Sequence, residues 1–187
     1  QIKQFEETGS HEFVFGYEES YGYLVGTHSR DKDAIVAAMI LCEAAAYYKS
    51  QGISLYDQMN RIYEKYGYFK EETVSLTLEG IEGIEKIKTI MEDYRKNPPK
   101  SVGGYDILRW RDYLTDKVTD NTTDEVIPTY LPQSDVLYYE MNDDAWCAIR
   151  PSGTEPKIKF YFGVKGSSSE DASDKLNRLA NDKAFKF

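Results

Sequence analysis

The sequence predicts an α+β protein: a C-terminal domain with an antiparallel sheet and helices on one face, preceded by part of an α/β domain. Three observations carry this reading. The second part of the chain runs helix, several strands, helix, the order of a sheet covered on one side. Its cleanest strand places Ile158, Phe160, Phe162 and Val164 on one face and Lys157, Lys159 and Tyr161 on the other, a period of two. The first part sets two helices between a strand and a later strand, which fits a piece of an α/β domain. The division is expected near Leu78 to Gly80, giving residues 1–78 and 79–187, and a length of 187 residues suits one or two domains.

Glu12 to Phe15 reads as a short strand stopped at Gly16, and the glycine- and tyrosine-rich stretch to Gly26 as a loop. Asp31 to Lys49 is a helix, apolar nearly all round and therefore expected to be buried. Asp31 or Asp33 is its cap, and Gln51-Gly52 its stop. Ser54 and Asp57 open a second helix with capping-box spacing. Leu55, Met59, Ile62 and Tyr66 follow at helical intervals, and Gly67 ends it. Thr73 to Leu78 alternates as a half-buried strand. Gly80 to Lys96 is a third helix, presenting Ile81, Ile84, Ile87, Met91 and Tyr94 to one side and closed by Asn97-Pro98-Pro99. Strands are expected near 105–113, 136–139, 146–149 and 158–164. The polar, proline-containing span from Thr115 to Gln133 reads as a long loop. Ser167 to Asp171 caps a last helix carrying Ala172, Leu176 and Leu179.

Composition narrows the function. Apolar residues make up 41% and aromatics 14%, enough for a core and too many for a wholly disordered chain. The net charge of −9 opposes general binding of nucleic acid, so any phosphate must be held by a local basic patch. Cys42 and Cys147 lie far apart in apolar runs. They read as buried free thiols in a reducing, cytoplasmic setting, with neither zinc spacing nor a disulfide framework. The longest apolar run is too short for a bilayer, and the first residues lack the apolar region of a signal peptide. No membrane partner is expected. The first residue is Gln1 rather than Met, so the chain is expected to be a piece of something longer.

One segment stands out chemically: Arg150-Pro151-Ser152-Gly153-Thr154-Glu155-Pro156-Lys157, between two predicted strands. Arg150 offers a planar fork for phosphate, Ser152 and Thr154 offer hydroxyls, and Gly153 allows close backbone approach. Two prolines stiffen the loop, and Lys157 adds a second positive charge. Glu155 suits an anion cradle least and is expected to orient Arg150 or Lys157, or to face water. An ordinary solvated hairpin turn is the competing reading. A second segment, Gly16-Tyr17-Glu18-Glu19-Ser20-Tyr21-Gly22, sets a carboxylate and a hydroxyl two residues apart, as a reader of neighbouring sugar hydroxyls would. An acidic surface turn is its plain alternative. A third, Gly26 to Asp33, mixes donors and acceptors ahead of the helix expected to be buried. His28 and His11 have no second histidine nearby and are not read as metal ligands.

Taken together, Gly-Tyr-Glu-Glu-Ser-Tyr-Gly, then Arg-x-Lys-Asp, then Arg-Pro-Ser-Gly-Thr-Glu-Pro-Lys-Ile-Lys-Phe-Tyr resemble the α-D-phosphohexomutase superfamily, closest to the phosphoglucomutases related to phosphopentomutase. The resemblance covers essentially the whole chain. It implies a four-domain parent, of which this chain is the end of domain three plus domain four. It implies that Glu18 and Ser20 contact the sugar O3 and O4, that Lys32 is an active-site lysine near the reacting centre, and that Arg150, Ser152, Gly153 and Thr154 hold the non-reacting phosphate. Lys157 joins them on electrostatic grounds.

The resemblance also implies a phosphoserine enzyme, Mg2+ and a glucose 1,6-bisphosphate intermediate. The family's phosphoserine loop does not match here, because Ser10-His11 continues as Glu12-Phe13, and its Asp-x-Asp-x-Asp metal loop has no counterpart. The expected partners are sugar phosphates and the N-terminal domains of the parent. The expected activity is interconversion of glucose 1-phosphate and glucose 6-phosphate by that parent, this chain alone being inactive. Phosphomannomutase, phosphopentomutase and a non-catalytic sugar-phosphate-binding module are the alternatives. A nucleic-acid binder using Arg150, Lys157 and Lys159 is opposed by the net charge.

Overall fold

The computed structural model describes residues 2–18, 21–153 and 155–185, the last without its side chain. The chain forms two compact units, residues 1–62 and 63–187.

In the first unit, α1 (Ile2–Thr8) precedes a hairpin of β1 (Phe15–Tyr17) and β2 (Tyr23–Val25), antiparallel with Phe15 opposite Val25 and Tyr17 opposite Tyr23. The helix α2 (Ala34–Ser50) starts at Asp33, whose carboxylate accepts from the amides of Ile35 and Val36 at 3.0 Å each. That leaves Asp31 free of the capping role. The next helix, α3 (Leu55–Tyr66), opens with the expected reciprocal cap. The Asp57 amide donates to Ser54 Oγ at 3.1 Å, and Asp57 Oδ2 accepts from the Ser54 amide at 3.0 Å. Gly67, at φ 105°, supplies the left-handed residue that ends it.

The burial expected of α2 is not observed. None of its residues is buried, and Ile35 is 84% exposed. Its apolar circumference needs partners all round, and in this unit the two short strands meet it along one side. Ala37, Ala38, Ile40, Leu41 and Ala44 line a shallow apolar concavity of about 350 Å3 with Phe15, Tyr23 and Val25. Cys42, read as a buried thiol, is likewise exposed.

The second unit is built on a wholly antiparallel sheet in the order β3-β10-β9-β8-β5-β6-β7, with β4 paired to β5. The strands are β3 (Tyr68–Thr77), β4 (Ser101–Val102), β5 (Tyr105–Asp112), β6 (Lys117–Asp120), β7 (Val126–Ile127), β8 (Leu137–Met141), β9 (Trp146–Pro151) and β10 (Lys157–Gly166). The helices α4 (Gly80–Lys96) and α5 (Ser169–Ala180) cover one face, and a short 3-10 turn follows at Lys183–Phe185. Ile87, Ile90, Met91 and Tyr94 of α4 and Leu176 and Leu179 of α5 join Ile149, Ile158, Phe160, Phe162 and Val164 in a single core. Cys147 is fully buried there, and desolvation pushes its thiol pKa well up, as expected of an inert structural cysteine. Ser168 caps α5 by accepting from the Asp171 amide at 3.1 Å.

Four expectations are corrected here. The units divide at Ile62/Tyr63 rather than near residue 78, because β3 pairs with β10 along its whole length, from Tyr68 opposite Gly166 to Thr77 opposite Lys157. That strand also begins earlier than Thr73. Residues 68–72 mix aromatic and charged residues, and only the ladder to β10 defines them as strand. The span 115–133 holds β6 and β7. Both are too short to show an alternation and are paired at the sheet margin, where backbone bonds rather than apolar periodicity define a strand. Finally, Ile81 and Ile84 stay exposed although they share the helical spacing of α4. The buried stripe begins with Gly83 and Ile87.

Candidate functional site

Within the first unit, the hairpin turn carries Glu18. Its amide donates to the Gly22 carbonyl at 2.8 Å, which closes the turn, and Tyr21 adopts a left-handed φ of 65° inside it. The segment preceding α2 is tied to the hairpin by the Asp33 amide, which donates to the Tyr23 carbonyl at 2.8 Å. That tie brings Lys32 back over the turn. Lys32 Nζ lies 3.6 Å from Glu18 Oε1 and 3.1 Å from Asp31 Oδ1. The hydrogen bond and charge of Asp31, then the charge of Glu18, raise the Lys32 pKa, so this lysine is held as an ammonium. Asp31 shifts the opposite way, chiefly because its carboxylate accepts from the Lys32 amide at 2.7 Å. Glu18, Gly22, Arg30, Asp31 and Lys32 share one concavity of about 210 Å3 with Phe13, Gly16 and Tyr17. Arg30 does not face a ligand freely: it pairs with Glu6 at 2.5 Å. His28 Nε2 lies 3.1 Å from Asp33 Oδ2 and takes part in the cap of α2. Two sequence-assigned residues, Glu18 and Lys32, are thus brought together; the third, Ser20, lies outside the described residues.

Gly22 is the member that motif reading passed over. A Cβ on it would come within 2.2 Å of Lys32 Cδ and 2.7 Å of Cγ, so the lysine stem rests directly on the glycine backbone. Gly22→Ala is expected to lift Lys32 off Glu18 and Asp31. The ammonium then loses its carboxylates, its pKa falls, and its reactivity toward an acylating reagent at neutral pH rises. Peptide mapping of acylated wild type and variant measures this, and equal labelling of Lys32 would show that the glycine does not position it.

Within the second unit, Ser152, Gly153, Glu155 and Pro156 lie in the turn between β9 and β10, with Arg150 near the end of one strand and Lys157 at the start of the other. The Ser152 amide donates to the Lys157 carbonyl and the Lys157 amide to the Glu155 carbonyl, each at 2.7 Å. The Pro156 carbonyl accepts from the Leu78 amide at 2.9 Å, which anchors the turn to the end of β3. The Glu155 amide donates to Ser152 Oγ at 3.3 Å. Lys157 Nζ contacts Glu155 Oε2 at 3.1 Å, one of the two roles expected for this glutamate. Arg150 follows buried Ile149 and is exposed, so it stands on the face of the sheet opposite the helices. Among the described residues no carboxylate lies within 4 Å of its guanidinium. Ser152, Gly153 and Glu155 also border a concavity of about 260 Å3 against Ile84, Ile87 and Lys88 of α4. Arg150, Ser152, Gly153 and Lys157 therefore sit in or beside one turn, and Thr154 lies outside the described residues.

No cluster of three or more His, Cys, Asp or Glu side chains among the described residues is arranged to hold a metal ion. The Mg2+ of the resemblance finds no ligand set among the described residues. No helix among them is long and apolar enough to cross a membrane.

The second unit thus offers an exposed guanidinium, a hydroxyl and a glycine between two strands, and the first unit a lysine held against carboxylates at a hairpin turn. Residues 2–66 match the model of the phosphoglucomutase/phosphomannomutase alpha/beta/alpha domain III, and residues 117–177 match that of the phosphoglucomutase/phosphomannomutase C-terminal domain. The chain belongs to the α-D-phosphohexomutase superfamily and corresponds to its two C-terminal domains. It is 36% identical over 179 residues to the phosphoglucomutase of Staphylococcus aureus strain MRSA252, and 35% identical to that of strain MSSA476. In each case the match covers 96% of this chain and 32% of the relative. The chain thus spans about a third of the length of these relatives. The crystal structure of pp63/parafusin, a phosphoglucomutase from Paramecium in its open form, superimposes with a TM-score of 0.59 at 15% identity. It covers 96% of this chain and 30% of that one, and shares the fold.

Proposed function

We propose that these residues supply sugar and phosphate recognition to a phosphoglucomutase, a cytoplasmic enzyme interconverting glucose 1-phosphate and glucose 6-phosphate. Glu18 and Ser20 read hydroxyls of the sugar, and Lys32 brings a positive charge to the reacting centre. Arg150, Ser152, Gly153 and Thr154 hold the phosphate that is not being transferred, with Lys157 at the end of their turn. The observation that carries the reading is the turn at 150–157. It is fixed by backbone bonds at both ends, it leaves Arg150 exposed, and its sequence is the one that resembles the family's phosphate loop. In the two-step transfer that the resemblance implies, a phosphoserine gives its phosphoryl group to the free hydroxyl of a sugar monophosphate. The bisphosphate turns over and returns its other phosphate. A fixed clamp and a hydroxyl reader accept both orientations, because O3 and O4 lie far from both phosphates. The phosphoserine and the metal that such a transfer needs are assigned to other parts of the enzyme.

Calorimetric titration tests this. The 187-residue chain is expected to bind glucose 1-phosphate and glucose 1,6-bisphosphate without interconverting the monophosphates. Glu18→Gln replaces a charged acceptor by a neutral one. It is expected to weaken glucose 1-phosphate by about tenfold while leaving inorganic phosphate unchanged. Tighter binding of mannose 1-phosphate or ribose 5-phosphate would reassign the substrate to the alternatives. Unchanged sugar-phosphate affinity in Glu18→Gln would remove the hydroxyl-reader role.

A further inference from the structure

One row of residues crosses the open face of the sheet in the second unit, at the end away from the 150–157 turn. In register it reads Asp120 of β6, Arg109 of β5, Glu140 of β8, Trp146 of β9 and Gly163 of β10. Glu140 lies between buried Tyr139 and Met141, and Trp146 precedes buried Cys147, so both side chains leave the helix-covered face. Arg109 Nη2 lies 2.9 Å from Asp120 Oδ2 and its Nη1 3.8 Å from Glu140 Oε2. Arg111 Nη1 reaches the other oxygen of Glu140 at 2.5 Å. Asp120 Oδ1 also accepts from the Thr122 amide at 2.8 Å and from its hydroxyl at 2.5 Å. Arg109, Asp120, Thr122, Glu140, Tyr138 and Trp146 border a cleft of about 510 Å3.

A ladder of ion pairs alone would not need the aromatic side of this cleft. A Cβ on Gly163 would come within 2.2 Å of Trp146 Nε1, so the indole rests directly on a glycine backbone in mid-strand. Glycine weakens a strand interior and marks a close approach; here it seats the ring. Tyr138 stacks with that indole, centroids 5.8 Å apart and 19° from parallel, and the Arg111 guanidinium lies 5.3 Å over Tyr138. An aromatic wall of fixed orientation therefore stands beside a floor of forked polar groups. The charges of the floor cancel, Arg109 and Arg111 against Asp120 and Glu140, and Asp144 at the rim pairs with Lys165 at 3.2 Å. An anion would have to displace a carboxylate from its arginine, and a cation would have to displace an arginine. A ligand with hydroxyls and no charge bonds to the outer N–H groups and lone pairs and leaves every pair intact. A pyranose has that character, with hydroxyls around its edge and a C–H face that covers an aromatic ring.

We propose that this cleft is a second sugar site, taking a neutral pyranose unit with its C–H face on Trp146 and its hydroxyls on Arg109, Asp120 and Glu140. It does not depend on the reading of the 150–157 turn. Trp146 and Arg150 stand at opposite ends of β9, roughly 13 Å apart along the strand. The unit arrives either as a free sugar or at the end of a glycan, and the same contacts serve both.

The test titrates the 187-residue chain with methyl α-glucoside, maltotriose and inorganic phosphate, followed by heteronuclear NMR. The readouts are the Trp146 indole N–H and the amides of Thr122 and Glu140. Trp110, the other tryptophan, stacks with buried Tyr139 and does not border the cleft. Methyl α-glucoside is expected to shift these resonances with a dissociation constant on the order of 1 mM, and phosphate to leave them in place. Maltotriose binding several-fold tighter assigns the cleft to glycan ends; equal affinity assigns it to a free sugar unit. Trp146→Leu keeps an apolar cover without the ring and is expected to weaken methyl α-glucoside about tenfold. Arg109→Lys keeps the charge without the fork, is expected to cost about fivefold, and decides the matter if Trp146→Leu does not fold. Glu18→Gln and Arg150→Gln are expected to leave these shifts unchanged, so failure of the sugar-phosphate reading is distinguishable from failure of this one. No shift at Trp146 up to about 50 mM sugar overturns the proposal. So does wild-type affinity in the folded variants, or the same shifts with phosphate.

Discussion

Replacing Arg150 by alanine is expected to raise the dissociation constant for glucose 1,6-bisphosphate about a hundredfold. Arg150 stands exposed at the end of β9, next to Ser152 and Gly153, in a turn whose backbone is fixed by the bonds from Ser152 to Lys157 and from Leu78 to Pro156. A guanidinium meeting a phosphate makes two charge-assisted hydrogen bonds in one plane. Losing both costs roughly 3 kcal/mol after water replaces part of the contact, and each 1.4 kcal/mol is about tenfold in affinity. Arg150→Lys is expected to recover only part of this, because an ammonium restores the charge but not the fork. The loss should diminish at high salt, where the Coulomb share is screened. Calorimetry on the three proteins measures it. Equal affinities of wild type and Arg150→Ala would leave residues 150–157 as an ordinary hairpin turn and remove the main support for sugar-phosphate binding.

The second large effect concerns stability. Asp112 is the single polar residue in the buried class among the described residues, at 2% exposure. Its Oδ1 accepts from the Leu114 amide at 3.1 Å and its Oδ2 from Thr115 Oγ1 at 2.7 Å. Both oxygens accept from Arg95 Nε at 3.2 Å. The arginine is itself largely buried and continues to Asp135. This carboxylate therefore joins the end of α4, the β5–β6 turn and, through Arg95, the segment leading into β8. Asp112→Ala leaves a half-compensated guanidinium and two polar groups without their acceptor. The expected cost is about 3 kcal/mol, the lower end of what breaking a buried pair costs, because Asp135 remains. In thermal unfolding this corresponds to a fall of roughly 10 °C in the transition of the second unit. A loss below about 1 kcal/mol would mean that Asp135 and water replace Asp112 without strain.

Much of the fold is legible in the order of the residues alone. The alternation of Ile158, Phe160, Phe162 and Val164, the Ser54–Asp57 capping box, Gly67 as a helix stop and Ser168 as a cap each follow from interactions within a few residues. The two chemical segments are legible for the same reason: a guanidinium, hydroxyls and a glycine in eight consecutive residues must lie close together whatever the fold. Long-range pairing is not legible. Residues 68–72 become a strand only because β10 is there to receive them, and β6 and β7 exist only as partners at the margin of the sheet. The burial expected of α2 fails because burial depends on neighbours, and the sequence of a helix states only which faces would prefer them.

Sequence by itself determined which polar and charged groups stand together in short segments and the local turns that carry them, since these depend on covalent neighbours and short-range hydrogen bonds. Tertiary structure alone decided which charges face one another. It seated Lys32 on Gly22 beside Glu18, paired Lys157 with Glu155, and set Arg109 between Asp120 and Glu140 across three strands. The physical reason is that electrostatic and hydrogen-bond energies depend on distance through space, and strand register brings together residues whose separation along the chain carries no information about that distance.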